Sequence, residues 1–198
     1  DDTVVMCAAG TMPGELHKLW KAPRPGAYHM AYGFSCMGYE IAGAMGIKMA
    51  QPDRDVICFT GDGTYMMANS EMATAAMMGV SFTVVITDNR GFGCINRLQM
   101  GTGGAEFNNL LDRAGHGTPS AIDFTAHAAA MGATSVKVGS IAGLEEVLAK
   151  RGEAKGPYVI VIDTDPYPST EYGGTWWEVA VPEVSVRPEV NEKRAAYE

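Results

Sequence analysis

Asp55-Val-Ile-Cys-Phe-Thr-Gly-Asp-Gly-Thr64 and, one helix-length further on, Phe82-Thr-Val-Val-Ile-Thr-Asp-Asn-Arg-Gly91 are the two runs that decide the fold. Each carries an uncharged, β-branched-rich stretch that ends in turn-forming residues, the pattern of a strand buried on both faces. Between them Thr64 to Met78 reads as a helix. Fifteen helical residues rise about 22 Å and seven extended residues about 23 Å, so the chain leaves along the helix and returns along the strand. Asp62 and Asn89, 27 positions apart (89 − 62), therefore finish at one edge of a parallel sheet. Ligands bind at that edge in open α/β sheets.

The residues gathered there suit an anion and a hard cation. Gly61 and Gly63 let the backbone turn tightly and approach a ligand. Thr64 opens a helix whose free N–H groups attract negative charge. A carboxylate, an amide oxygen and a nearby backbone carbonyl are donors for Mg²⁺ or Ca²⁺ held together with phosphate oxygens. Taken singly, Gly-Asp-Gly is a turn and Asp88-Asn89 a loop start; the spacing and the strand-to-helix context are what join them into a site.

Working outward, strand and helix patterns alternate. Strands are expected at Thr3 to Ala8, 134–138 and 158–163, and helices at about Pro13 to Trp20, Gly38 to Ala50, Asp123 to Met131 and Ile141 to Arg151. The run Phe92 to Gly104 reads as a helix start leading into a mobile loop. This predicts a doubly wound α/β fold, a mostly parallel sheet with helices on both faces. It occupies residues 1–166, and an irregular tail, 167–198, packs on the domain or on a partner. The 198 residues, 46% of them hydrophobic, suffice for one full core.

A net charge of −8 without a basic stripe argues against a nucleic-acid partner. No apolar stretch approaches the roughly 20 residues of a membrane span. The four cysteines, Cys7, Cys36, Cys58 and Cys94, are widely spaced and read as reduced thiols. A soluble, cytoplasmic protein is the expectation.

Gly61-Asp62-Gly63 followed by Asn89 resembles the signature of the thiamine diphosphate-dependent enzymes of the decarboxylase and acetolactate synthase type. The resemblance implies thiamine diphosphate and Mg²⁺ as cofactors, with Asp62, the Asn89 side chain and the Gly91 carbonyl as metal ligands. Asp88 stands where the family usually has a second Asn. Gly61, Gly63 and Thr64 would surround the diphosphate, and Thr11, after the first strand, would touch it. In the segment Gly33-Phe-Ser-Cys-Met-Gly-Tyr39 the resemblance makes Met37 the wedge that bends the cofactor and gives the Ser35 carbonyl the cofactor's amino group. Read without the family, Met37 is a core methionine on a Gly-rich turn.

Five segments, 8–14, 35–40, 88–96, 107–111 and 173–178, resemble the branch of the family that acts in inositol breakdown. There a cyclic 1,2-diketone is opened hydrolytically to a deoxy-uronic acid, with the cofactor as electron sink. Pyruvate decarboxylases carry an acidic residue six positions after the metal-site Asn, where this chain has Ile95. Phe92, Cys94, Asn96 and Gln99 are candidates to face substrate or to be ordinary helix residues, and His29 is a candidate proton shuttle or a satisfied structural histidine.

The family's activating glutamate comes from a separate pyrimidine-binding domain, and its full enzymes run about three times this length. The chain is therefore expected to be a portion or a subunit of a homo-oligomeric enzyme, silent alone and partnered by that domain. A carboligase of the acetolactate synthase or glyoxylate carboligase type, and a non-catalytic cofactor-binding module, remain as alternatives. A nicotinamide site lacks its Gly-x-Gly-x-x-Gly.

Overall fold

Six apolar stretches become strands in the computed structural model, which describes residues 2–31, 33–117, 121–170 and 178–198. They are β1 Val4–Cys7, β2 Tyr28–Met30, β3 Val56–Gly61, β4 Thr83–Asp88, β5 Thr134–Val138 and β6 Tyr158–Asp163. All pair in parallel, in the order β2-β1-β3-β4-β6-β5. Parallel neighbours need long crossovers, here supplied mainly by the helices α1 Thr11–Leu19, α2 Tyr39–Ala50, α3 Asp62–Met67, α4 Glu71–Met78, α5 Gly93–Gly101, α6 Phe124–Ala130 and α7 Ile141–Lys150. A last helix, α8, spans Pro188–Tyr197.

The alternation of side chains along a strand sends successive residues to opposite faces. Met6, Cys58, Val84, Ile86 and Val159 meet Ile41 and Met45 of α2, Met72 of α4 and Phe124 of α6. Ile57, Val85 and Ile160 turn the other way and pack under Leu144, Val147 and Leu148 of α7. Both faces are thus covered, as a parallel sheet requires. Asp123 accepts a hydrogen bond from the Ala126 N–H at 3.0 Å and Ser140 one from the Gly143 N–H at 3.1 Å. These caps fix where α6 and α7 begin.

The site is positioned by register. Gly61 pairs with Thr87, so the residues just beyond β3 and β4 emerge side by side. From β1 the order runs outward to β2 on one side and to β3 on the other, which makes the β1/β3 boundary the point where the winding reverses. Loops leaving such a boundary part and open a crevice.

Four local features differ from the sequence expectation. Tyr28–Met30 forms an edge strand that pairs with β1 alone; three residues are too few to show an alternation. The helix expected over 64–78 is two helices, parted at Ala68, Asn69 and Ser70, where Ala68 leaves the helical region with φ −151° and ψ 77°. The expected loop after Phe92 is a helix continuing to Gly101 and closed by a tight turn. In that turn the Gly104 N–H donates to the Gln99 carbonyl at 2.9 Å, and Gly103 lies against the Glu189 backbone. The tail carries α8, started by Pro188 at its first position and anchored by buried Val190. Among the described residues no helix is long and apolar enough to cross a membrane.

Tyr65 ties α3 to this frame. It is fully buried, meets Phe124 edge-on at 5.6 Å, and its hydroxyl lies 3.0 Å from His127 Nδ1. Tyr65→Phe keeps the packing and removes one buried hydrogen bond, a loss of about 1 kcal/mol. Thermal denaturation of the variant is expected to show a melting temperature lower by about 2–4 °C, the scale for a domain of this size.

Candidate functional site

Asp62 follows β3 directly and lands beside the loop that leaves β4. Its Oδ2 accepts the Gly91 N–H at 2.7 Å and its Oδ1 the Asn89 N–H at 3.4 Å. Asp62 is 4% exposed. Burial pushes its carboxyl up to about 6; the Gly91 and Asn89 N–H groups oppose this, and the neighbouring Asp88 carboxylate adds to it. The Asn89 side-chain oxygen is also buried and has no hydrogen-bond partner in the protein. An unmatched buried acceptor costs about 1–3 kcal/mol. A hard cation answers both that acceptor and the uncompensated carboxylate, so the donor set fits Mg²⁺.

Gly91, the third donor expected from the sequence, stands on unusual backbone. Its φ is +145°, and a side chain there would run into the Asn109 carbonyl, so only glycine fits. The segment 109–111 clamps it in an antiparallel bridge, with the Phe92 N–H donating to Asn109 O at 2.7 Å and the Leu111 N–H to Arg90 O at 2.9 Å. That pattern leaves the N–H and C=O of Gly91 itself outside the bridge. The N–H goes to Asp62, while the carbonyl oxygen lies 3.3 Å from where a side chain on Gly63 would begin. Such a side chain would also come within 2.6 Å of the Phe92 ring, which accounts for the second glycine of the triplet.

These residues form part of a cavity of about 210 Å³. Every residue expected to hold the metal or the cofactor lines it: Thr11, Ser35, Met37, Gly61, Asp62, Gly63, Thr64, Asn89 and Gly91. Ser35 adopts a left-handed φ of +50° and its hydroxyl donates to the Ala8 carbonyl at 2.9 Å. α3 is only six residues long, so its dipole is weaker than the unbroken helix would supply.

Phe92 and Cys94 also line the cavity, joined by Ile95 and Leu98. Asn96 and Gln99 do not: Asn96 Nδ2 donates to Glu106 at 2.9 Å, and Gln99 Oε1 accepts from Asn109 at 2.8 Å. His29 lies on the edge strand, 3.2 Å from the Gly26 carbonyl and away from the cavity. Arg97 is the residue that sequence reasoning missed. Its Nη2 donates to Thr11 Oγ1 at 2.8 Å and its Nη1 to the Pro166 carbonyl. With an acceptor site of Thr11 taken, the hydroxyl hydrogen is left for an acceptor inside the cavity. The available signal was helical phase, because Arg97 stands four residues after Gly93, which itself lines the cavity. Residues 173–177 of the tail motif lie outside the described residues.

A doubly wound sheet whose cavity reaches the point where its winding reverses, with oxygen donors just beyond β3 and β4, defines an α/β domain built to hold an anionic cofactor. The model of the C-terminal thiamine pyrophosphate-binding domain of thiamine pyrophosphate enzymes matches residues 8–162, and the chain belongs to that family. Along its whole length it is 42% identical to a 3D-(3,5/4)-trihydroxycyclohexane-1,2-dione hydrolase of Bacillus thuringiensis (strain Al Hakam) and 43% identical to one of Bacillus anthracis. It spans 31% of the length of each. A thiamine diphosphate-dependent 4-hydroxybenzoylformate decarboxylase of Rhodococcus jostii RHA1 shares the fold, with a TM-score of 0.73 at 20% identity over 86% of this chain and 31% of that one.

The raised pKa of Asp62 gives a signed prediction. Without metal, the folded chain binds a proton that the unfolded chain releases at the ordinary value of 3.8. This group's contribution to stability therefore falls as pH rises from about 4 to 6. A ligand at about 100 times its dissociation constant adds about 2.7 kcal/mol, and above pH 6 Mg²⁺ with thiamine diphosphate is expected to act as one. The melting temperature should then rise by about 5–10 °C, and Asp62→Asn is expected to abolish that rise and to remove the fall in metal-free stability between about pH 4 and 6.

Proposed function

We propose that this chain is the diphosphate- and Mg²⁺-binding domain of a thiamine diphosphate-dependent hydrolase that opens trihydroxycyclohexane-1,2-dione to 5-deoxy-glucuronate. The observation that carries the metal reading is the partnerless Asn89 oxygen, buried beside the uncompensated Asp62 carboxylate. The full-length similarity to dione hydrolases supports the choice of substrate.

When bound, thiamine diphosphate supplies a nucleophilic carbon and a sink for the electrons of a broken C–C bond. The remaining roles belong to the chain. Asp62, Asn89 Oδ1 and the Gly91 carbonyl would hold Mg²⁺. Thr11, oriented by Arg97, and Thr64, beside Gly61 and Gly63, would donate to the diphosphate. Met37 would press between the cofactor's rings, and the Ser35 carbonyl would accept from its amino group. Phe92, Ile95 and Leu98 keep bulk water from the reacting centre, and Ile95 places no carboxylate there. Phe34, 95% exposed, lies on the loop bearing Ser35, and Met67, 56% exposed, is the last residue of α3. They suit burial beneath a pyrimidine-binding domain from the rest of the protein or from another subunit of a cytoplasmic homo-oligomer.

Product analysis tests the assignment. The intact enzyme, loaded with thiamine diphosphate and Mg²⁺, is expected to convert the cyclic dione to the deoxy-uronic acid and to leave pyruvate and glyoxylate unligated. Carboligation of either with no dione opening would overturn the substrate assignment. The 198-residue chain alone is expected to show no turnover.

A further inference from the structure

Two carboxylates are buried among the described residues, Asp62 and Glu40, and the proposed Mg²⁺ answers only the first. Glu40, in the first turn of α2, is 1% exposed, and among the described residues no Lys, Arg or His forms an ion pair with it. Its Oε1 accepts the Ala9 N–H at 3.2 Å and its Oε2 the Gly38 N–H at 3.0 Å. Burial raises its pKa, and these N–H donors together with its own pull it down. Burying a charge without a counter-ion is costly, and α2 already packs through Ile41, Ala44 and Met45. The core does not require a carboxylate at this position.

The two N–H groups belong to two different loops whose residues line the cavity. Ala9 lies on the loop that leaves β1 toward Thr11, and Gly38 closes the loop that carries Ser35 and Met37. A second bond of opposite sense joins the same loops, since Ser35 Oγ donates to the Ala8 carbonyl. One loop thus receives a hydrogen from the other and offers one to the carboxylate rooted beside it.

We propose that Glu40 is a positioning residue for the cofactor. Its carboxylate sets the spacing between the loop at the diphosphate end and the loop at the ring end. This rests on the cofactor reading given above. A glutamine at this position has the same size but one acceptor oxygen, and its NH₂ would face the second N–H. One loop is then released while the fold stays filled.

The test titrates the intact enzyme with thiamine diphosphate at saturating Mg²⁺, well below the melting temperature. Glu40→Gln is expected to raise the half-saturating cofactor concentration by about tenfold, equivalent to about 1.4 kcal/mol, with a smaller change in kcat once saturated. A merely structural glutamate would lower the melting temperature and leave half-saturation within about twofold of wild type; that result overturns the proposal. Should the variant not fold, hydrogen exchange on the wild-type, cofactor-free enzyme decides. The Ala9 and Gly38 amides are expected to be protected, and exchange at the rate of open loops overturns the latch. Asp62→Ala runs alongside: cofactor binding retained in that variant would refute the cofactor reading, whereas the exchange result judges the latch by itself.

Discussion

A carboxylate taken out of water without a cation of its own is the constraint around which the site is arranged. Asp62 is tolerable only because two backbone N–H groups point at it, and both come from the loop after β4. That loop can deliver them because β3 and β4 end in register and because glycine at 91 permits a φ closed to other residues. The 109–111 segment then holds the loop by its neighbours, Arg90 and Phe92, leaving the Gly91 groups to face inward. Remove any one of these conditions and the carboxylate would lose its partners or the Asn89 oxygen its place beside it.

This dependence explains what could be read in advance. Strand ends and helix lengths are local properties, so the meeting of Asp62 with Asn89 follows from one strand-helix-strand count. The break at Ala68–Ser70 leaves that count intact, since both helices still carry the chain back across the sheet. Family resemblance drew attention to Met37 and Ser35, and both line the same cavity as Asp62 and Asn89. Arg97 reaches Thr11 across 86 positions; helical phase could have turned it toward the site but not named its partner. Glu40 stands in the first turn of α2, where an acidic residue is ordinary, and only its burial and its two partners set it apart. The expected mobile loop failed for a similar reason. Glycines that read as freedom in the sequence are, at 103, room for the backbone of α8 to come close.

The chain spans less than a third of its relatives' length, yet the groups proposed to hold metal and diphosphate all come from within it. The division of labour is physical. An open parallel sheet collects the carboxyl ends of β1, β3 and β4 at one edge and can build an anion site unaided, whereas enclosing the far end of a cofactor requires mass that this edge lacks.

The strand order also sets when the sheet can close. β4 lies at the centre, but its outer neighbour β6 begins 75 positions later, Thr83 pairing with Tyr158 (158 − 83). Until β6 arrives, Thr83–Asp88 presents an open hydrogen-bonding edge and the apolar residues Val84, Val85 and Ile86. Long-range pairings of this kind are slow to form and leave a nascent chain open to association. The geometry that makes the mature site rigid therefore makes a ribosome-bound intermediate adhesive, and the stretch from β4 to β6 is the interval over which a chaperone would have the most to protect.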